Sequence, residues 1–361
     1  MTFKRAEDIS SYIGLDEKEV ESMNNLLDDY PMLITDYYFS LIDFDDPDDP
    51  IRKMCIPSTL EFNRDGSFDT SGESDNTILP GMQHKYHETA LVLSTNKCAM
   101  YCRHCFRKRL VGLTTEEVVD HLDEIVDYVN EHKEISNILV SGGDSFMNSN
   151  KVLEKYLDKL TGIDHLDFIR FGTRIPVVLP SRISEDQELL EILGKYSRKK
   201  QLIVVTQFNH PSEITKEAIK AIQAIQALRD ANIEVRNQTV LLGGVNDDPK
   251  VLGNLLKSLT SIGVFPYYVF QCRPVKGVVN NFQVPIKRGV EIVEEAKSFQ
   301  NGLGKSFRYC LSHPSGKIEI LGIMPDGQVA FKYHETKDLK DNGRIFTMDL
   351  DDETGWLDDI E

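Results

Sequence analysis

Between residues 90 and 271, short apolar runs alternate with longer amphipathic stretches. The runs at 90–95, 137–141, 168–173, 201–207, 234–242 and 266–271 are short and rich in β-branched or aromatic residues, which predicts strands. The stretches between them carry helical spacing. Thr114-Thr115-Glu116-Glu117 reads as a capping box, after which Val118, Leu122, Ile125 and Val129 mark one apolar face. Residues 213–228 place Ile214, Ala218, Ile222 and Ile225 on one stripe, and Pro249 and Pro285 each stand near a helix start. Strand–helix units in succession predict a parallel sheet with right-handed crossovers. Six such units, curled, make an incomplete barrel in the α/β class.

Outside this rhythm the pattern weakens. The first 40 residues read as helical, with 17–27 as one amphipathic segment. Residues 43–81 are rich in Pro, Asp and Ser, which predicts an irregular arm wrapped on the main domain. The expected organisation is 1–89 as helical extension and arm, 90–300 as the partial barrel, and 301–361 as a C-terminal segment ending in an acidic tail. Trp356 and Leu357, isolated in that tail, are candidates to dock on the domain or on a neighbouring subunit.

The chain has 361 residues, is 40% hydrophobic and carries a formal net charge of −17. Such a charge repels phosphate backbones and argues against a nucleic acid partner. No stretch approaches the ~20 apolar residues of a membrane span, and the N-terminus lacks the apolar run of a signal peptide. A cytoplasmic location is therefore expected. The five aspartates within 43–49 read as solvated surface.

The chemistry concentrates at Cys98, Cys102 and Cys105, a CxxxCxxC run followed by Arg107, Lys108 and Arg109. A [4Fe–4S] cluster ordinarily takes four cysteines. Three close thiolates without a fourth leave one iron open, as in enzymes that cleave S-adenosylmethionine (SAM) to a 5′-deoxyadenosyl radical. Zinc, with His104 as fourth ligand, is the alternative for the same residues. The strands end in polar groups: Ser141-Gly142-Gly143-Asp144, Thr173-Arg174, Gln207-Phe208-Asn209-His210, Asn237-Gln238-Thr239 and Gln271-Cys272-Arg273. Parallel barrels place their chemistry at these ends, so one site at the barrel mouth is expected.

From about residue 33 to 336 the chain resembles the lysine 2,3-aminomutase family, radical SAM enzymes that also use pyridoxal phosphate (PLP). The resemblance rests on Asp36-Tyr37-Tyr38, the cysteine motif, Leu139 to Asp144, Arg174 to Pro180, Phe208-Asn209-His210-Pro211, Asn237-Gln238, Gly244 to Asp247, and Pro266-Tyr267-Tyr268 with Gln271-Cys272. It implies a (β/α)6 radical SAM barrel and migration of an α-amino group to the β-carbon. It implies Cys98, Cys102 and Cys105 as cluster ligands, and Gly142, Gly143 and Asp144 at the SAM amino group. Arg107 would hold the substrate carboxylate, and Lys317 would carry PLP as a Schiff base. Lys85 and Tyr86, with Asn237 and Gln238, would contact PLP.

Three departures stand out. The glycine-rich lead-in to Lys317 is two residues shorter than the family's. One arginine of the phosphate grip is Lys85 here and the other is Thr89. The two aspartates that hold a lysine substrate's ε-ammonium are replaced by Arg273 and Ser312. That change of sign favours an acidic substrate, glutamate before aspartate, as in glutamate-type members of the family. Lysine itself, or radical chemistry on another substrate without PLP, are the alternatives. The resemblance also implies an electron donor such as flavodoxin or ferredoxin and a homo-oligomer. With no cysteine after Cys310, the family's C-terminal zinc site is not expected.

Overall fold

A computed structural model describes residues 2–111, 117–119, 121–215, 218–358 and 360. The capping box expected at 114–117 lies mostly outside these residues.

Two two-residue strands, β1 (Thr2–Phe3) and β2 (Ile34–Thr35), pair antiparallel and clasp the N-terminal helices. One of these, Glu17–Asp29, starts where Asp16 accepts the Glu19 amide while the Glu19 carboxylate accepts the Asp16 amide. The remaining strands form a single twelve-stranded sheet in sequence order. They are β3 (Thr77–Leu79), β4 (Met82–Tyr86), β5 (Thr89–Leu93), β6 (Asn137–Ser141), β7 (Phe168–Gly172), β8 (Gln201–Thr206), β9 (Glu234–Leu241), β10 (Phe265–Gln271), β11 (Arg308–His313), β12 (Gly316–Ile323), β13 (Val329–Thr336) and β14 (Ile345–Met348).

Strands β5 to β11 run parallel, and antiparallel strands extend the sheet at both ends. The six strand–helix units expected from periodicity are all present. The parallel run has a seventh member, because the helix Ile286–Ser298 returns the chain to β11 beside β10. Segment 301–361 therefore continues the barrel sheet, and β3 and β4 join it from within 1–89.

The crossover helices bury one apolar face each and start on short polar caps: Ser149 before Asn150–Thr161, Asp186 before Gln187–Ser197, Asp248 before Pro249–Ser261. The helix expected over 213–228 is instead a 3₁₀ turn at Pro211–Glu213 followed by a helix at Ile219–Asp230. The physical reason is Glu213, whose carboxylate accepts the amides of Asn209 and His210 and so closes the turn at the end of β8.

A large core fills the space between β4–β9, the crossover helices and the N-terminal segment. A second core lies under β9–β13 and takes in Leu357, which is buried, with Trp356 packed against it. The acidic tail thus docks on its own domain: Ile286 donates to the Thr354 carbonyl, and Gln271 to that of Gly355. Where the sheet fails to close, Lys85 on β4 reaches across and donates to the His313 carbonyl at the end of β11, at 2.6 Å.

Candidate active site

The open barrel encloses a cavity of about 350 Å³, lined by residues from nearly every strand and from the arm. Its mouth is built on the turn after β6. Gly142 has φ +122°, and a Cβ there would lie 2.2 Å from the Thr95 carbonyl. A Cβ on Gly143 would lie 2.4 Å from that of Lys97. Only glycine lets this turn press against the cysteine loop. The amides of Gly143 and Asp144 then donate to Thr95 and Lys97 at 2.6 and 2.7 Å, fixing the loop that begins at Cys98.

Cys98, Cys102 and Cys105 all line the cavity. Burial raises the Cys98 and Cys105 thiols above the ordinary range, Cys105 to about 11, with neighbouring anions adding to it. Cations oppose this. Arg174, at the end of β7, donates to Cys102 Sγ at 2.7 Å and to Glu213 at 2.7 Å, and stands over the Tyr38 ring. Tyr38 in turn donates to Glu213 at 2.7 Å.

His104 lines the same cavity, with its Nε2 engaged by the side-chain amides of Asn209 and Gln207 at 3.2 and 3.3 Å and its Nδ1 buried without a hydrogen-bond partner. Asp144 is fully engaged: its carboxylate accepts from Thr173 Oγ1 and from the Arg174 and Phe146 amides. Its visible work is to bind the ends of β6 and β7 together.

The cavity's opposite wall is aromatic and cationic. Lys317 on β12 donates to Glu335 on β13 at 2.7 Å and lies over the rings of Tyr268 and Tyr86, 4.7 and 5.1 Å from their centroids. Burial works against the Lys317 ammonium, but Glu335, with Tyr86 and Tyr267, outweighs it and leaves the pKa raised. Lys85 donates to the carbonyls of Ser71 and His313. Burial, with Arg273 and Lys317 nearby, lowers its pKa to about 7.

Beside the mouth, Arg107 and Arg109 both pair with Glu73 at 2.8 Å. Burial opposes ionisation of Glu73, yet Arg107, Arg109 and Arg273 hold its carboxyl down at about 2. Arg273 lies over the Phe106 ring at 4.2 Å and donates to Ser71 Oγ at 2.9 Å. Ser312 and Gln238 also line the cavity.

The radical SAM superfamily matches residues 92–255. A putative L-lysine 2,3-aminomutase of Aquifex aeolicus is 39% identical over 345 residues, covering 95% of this chain and 91% of that one. The L-lysine 2,3-aminomutase of Acetoanaerobium sticklandii is 36% identical, covering 96% and 82%. The glutamate 2,3-aminomutase of Clostridioides difficile is 36% identical, covering 85% and 71%.

The chain belongs to the lysine 2,3-aminomutase family. It is a radical SAM aminomutase, an isomerase, and the family's cofactors are a [4Fe–4S] cluster, SAM and PLP. The residues present fit a cluster, since three thiols share one cavity wall with a guanidinium already at Cys102 Sγ. They also fit PLP, since a lysine amine projects between two aromatic faces inside the same cavity.

Most of the expected site residues of this aminomutase converge on the cavity: Lys85, Tyr86, the three cysteines, Arg107, Gly142, Gly143, Asp144, Gln238, Arg273, Ser312 and Lys317. Asn237 does not line it. Alternation along β9 sends Gln238 and Val240 inward and Asn237 outward, where its amide bonds the Phe208 backbone and Thr239. Sequence reasoning missed Glu73, Glu213 and Glu335. The first lay in an arm without periodicity, the second inside an apparent helix, and the third in a strand not foreseen.

Proposed function

We propose that this aminomutase acts on an acidic α-amino acid, glutamate ahead of aspartate, and forms the corresponding β-amino acid with PLP held at Lys317. The observation that carries the reading is Arg273. It stands half-buried in the cavity wall, and although it helps hold Glu73 ionised, among the described residues no carboxylate forms a salt bridge with it. A substrate side-chain carboxylate would supply a charge-assisted, bidentate partner. Glutamate 2,3-aminomutase activity in one relative agrees with this.

Lysine finds no counter-charge in the same space. The cavity-lining carboxylates are Glu73, Asp144 and Glu335. The first is bound to Arg107 and Arg109, the second to Thr173 and the Arg174 amide, the third to Lys317. An ε-ammonium beside Arg273 would be repelled and unpaired.

The residues divide the work. Arg107, two positions after the last cluster cysteine, presents a fork for the substrate's α-carboxylate, with Glu73 holding that fork in place until substrate arrives. Arg273 reads the side chain. Lys317 supplies the amine that anchors the cofactor, which when bound delocalises an unpaired electron during amino migration. Arg174 orients the Cys102 thiolate, and the arm shields the mouth from water. A one-electron carrier of the flavodoxin or ferredoxin kind would reduce the cluster.

The test is turnover by anaerobically reconstituted enzyme with SAM, PLP and a reductant, read by chiral mass spectrometry. A β-amino acid from glutamate or aspartate and none from lysine is the expected result. Turnover of lysine alone would sink the substrate assignment.

A further inference from the structure

The cavity wall holds a guanidinium that the protein satisfies only in part. Arg170, on β7, lines the cavity with Thr89 on β5 and Gln238 on β9. Its Nη2 donates to Asn137 Oδ1 at 2.5 Å, while its Nε is buried and has no hydrogen-bond partner. A buried guanidinium N–H without a partner is costly, so an acceptor brought into the cavity at that nitrogen is favoured. Asn137 is itself anchored: its Nδ2 donates to the Glu88 carbonyl at 2.9 Å and to Thr89 Oγ1 at 3.1 Å. The Thr89 hydroxyl in turn gives its hydrogen to Asn137 Oδ1 only at 3.5 Å, a long contact that a nearer acceptor in the cavity would replace.

The other cation expected here is engaged elsewhere. The ammonium of Lys85 is taken by the carbonyls of Ser71 and His313, and burial has brought its pKa to about 7. Arg170 is fixed in place by Asn137 and ends in the cavity that also holds Lys317. A phosphate monoester dianion, with three acceptor oxygens, matches a guanidinium, a hydroxyl and a carboxamide arranged around one space.

We propose that Arg170, assisted by Thr89 and Gln238, forms the phosphate-binding end of the cavity and holds the phosphate of the cofactor anchored at Lys317. This rests on the reading that PLP binds there. It assigns the principal cation of that grip to β7.

The experiment compares PLP with pyridoxal, which lacks the phosphate, on the cluster-loaded enzyme under anaerobic conditions. Binding is read from the Schiff-base absorbance band and its trapping by borohydride, without turnover. Arg170→Met is expected to weaken PLP by about 10- to 100-fold, the range for a lost hydrogen bond to a charged group, while leaving pyridoxal within about 2-fold. Arg170→Lys, which keeps the charge and the fold, should recover part of the loss.

Equal weakening of PLP and pyridoxal would mean a structural role and overturn the assignment. So would unchanged PLP affinity in both variants. A wild-type enzyme that forms no Schiff base with either compound would overturn the PLP reading itself, a result distinct from a Schiff base indifferent to Arg170.

Discussion

Replacing Arg273 with Met removes a half-buried cation from the cavity wall and keeps most of the side chain's volume. The structure sets the size of the effect. Arg273 touches the Phe106 ring and Ser71 and forms no salt bridge among the described residues; Glu73 keeps Arg107 and Arg109 when it is removed, so the larger loss falls on the substrate carboxylate. A hydrogen bond to a charged partner contributes about 1.5–3 kcal/mol, and leaving a buried charge unpaired costs about 3–5 kcal/mol. Taking about 3 kcal/mol, kcat/KM for glutamate should fall by about 150-fold. Glutamine, of the same shape without the charge, isolates the effect: its kcat/KM should change little, so the glutamate-to-glutamine ratio collapses. Arg273→Lys should land between. A second reading comes from Lys85, whose low pKa owes first to burial and then to Arg273. Competitive amine labelling should show Lys85 titrating above about 7 in the Met variant. The reasoning is refuted if Arg273→Met lowers glutamate and glutamine turnover equally, or neither.

Glu73→Gln should destabilise the protein by about 3 kcal/mol at pH 7, because its carboxyl titrates near 2 when folded against an ordinary 4.5. The contribution is complete above pH 4.5 and is lost as pH falls toward 2, so the urea-midpoint gap between wild type and variant should narrow below pH 4.5, and a constant gap down to pH 3 would contradict it. Gly143→Ala drives a Cβ to 2.4 Å from the Lys97 carbonyl; about 1–3 kcal/mol of strain would be released by shifting the cysteine loop, so reconstituted iron content should drop. Full iron loading would show that the loop tolerates the shift. Glu335→Gln removes the main group that raises the Lys317 pKa against burial, so borohydride trapping of PLP should become efficient at lower pH than in wild type. An unmoved pH profile would assign Glu335 no part in setting the amine.

Periodicity made the parallel strands legible because each is a short apolar run bounded by polar ends. Their observed spans match expectation to within two residues at either edge, and β6 matches it throughout. What escaped was β11. Its run Arg308–His313 opens with a charge and ends in Ser-His, and only the register with β10 reveals it as a further parallel strand. The cysteine motif was legible because its three thiols lie within eight consecutive residues. Glu73, Glu213 and Glu335 were not, since each acts on a residue at least 18 positions away: Arg107, Arg174 and Lys317. Asn237 misled for a related reason. It is adjacent in sequence to Gln238, yet a strand sends neighbours to opposite faces, and only one of the two can line the cavity.

The basic run around the last two cysteines shows what the irregular arm contributes. Arg103 makes two hydrogen bonds to Glu61, at 2.9 and 2.6 Å, and Lys108 binds the same carboxylate. Arg107 and Arg109 share Glu73. Two carboxylates of the arm thus answer four cations of the cysteine loop, and all of these groups but Arg109 are largely buried. Such pairs add little net stability over an apolar core, but losing one partner costs about 3–5 kcal/mol, so the arrangement specifies position more than it strengthens the fold. Arg109 also pairs with Glu117 at 2.8 Å, so three carboxylates face the four cations and one positive charge is left over beside the thiols. An arm without helical or strand periodicity is therefore no filler between domains. It fixes the loop whose thiols face the cavity, and it delivers Ser71 to Arg273 and Glu73 to Arg107, so the same segment positions both the cluster motif and the two arginines assigned to the substrate.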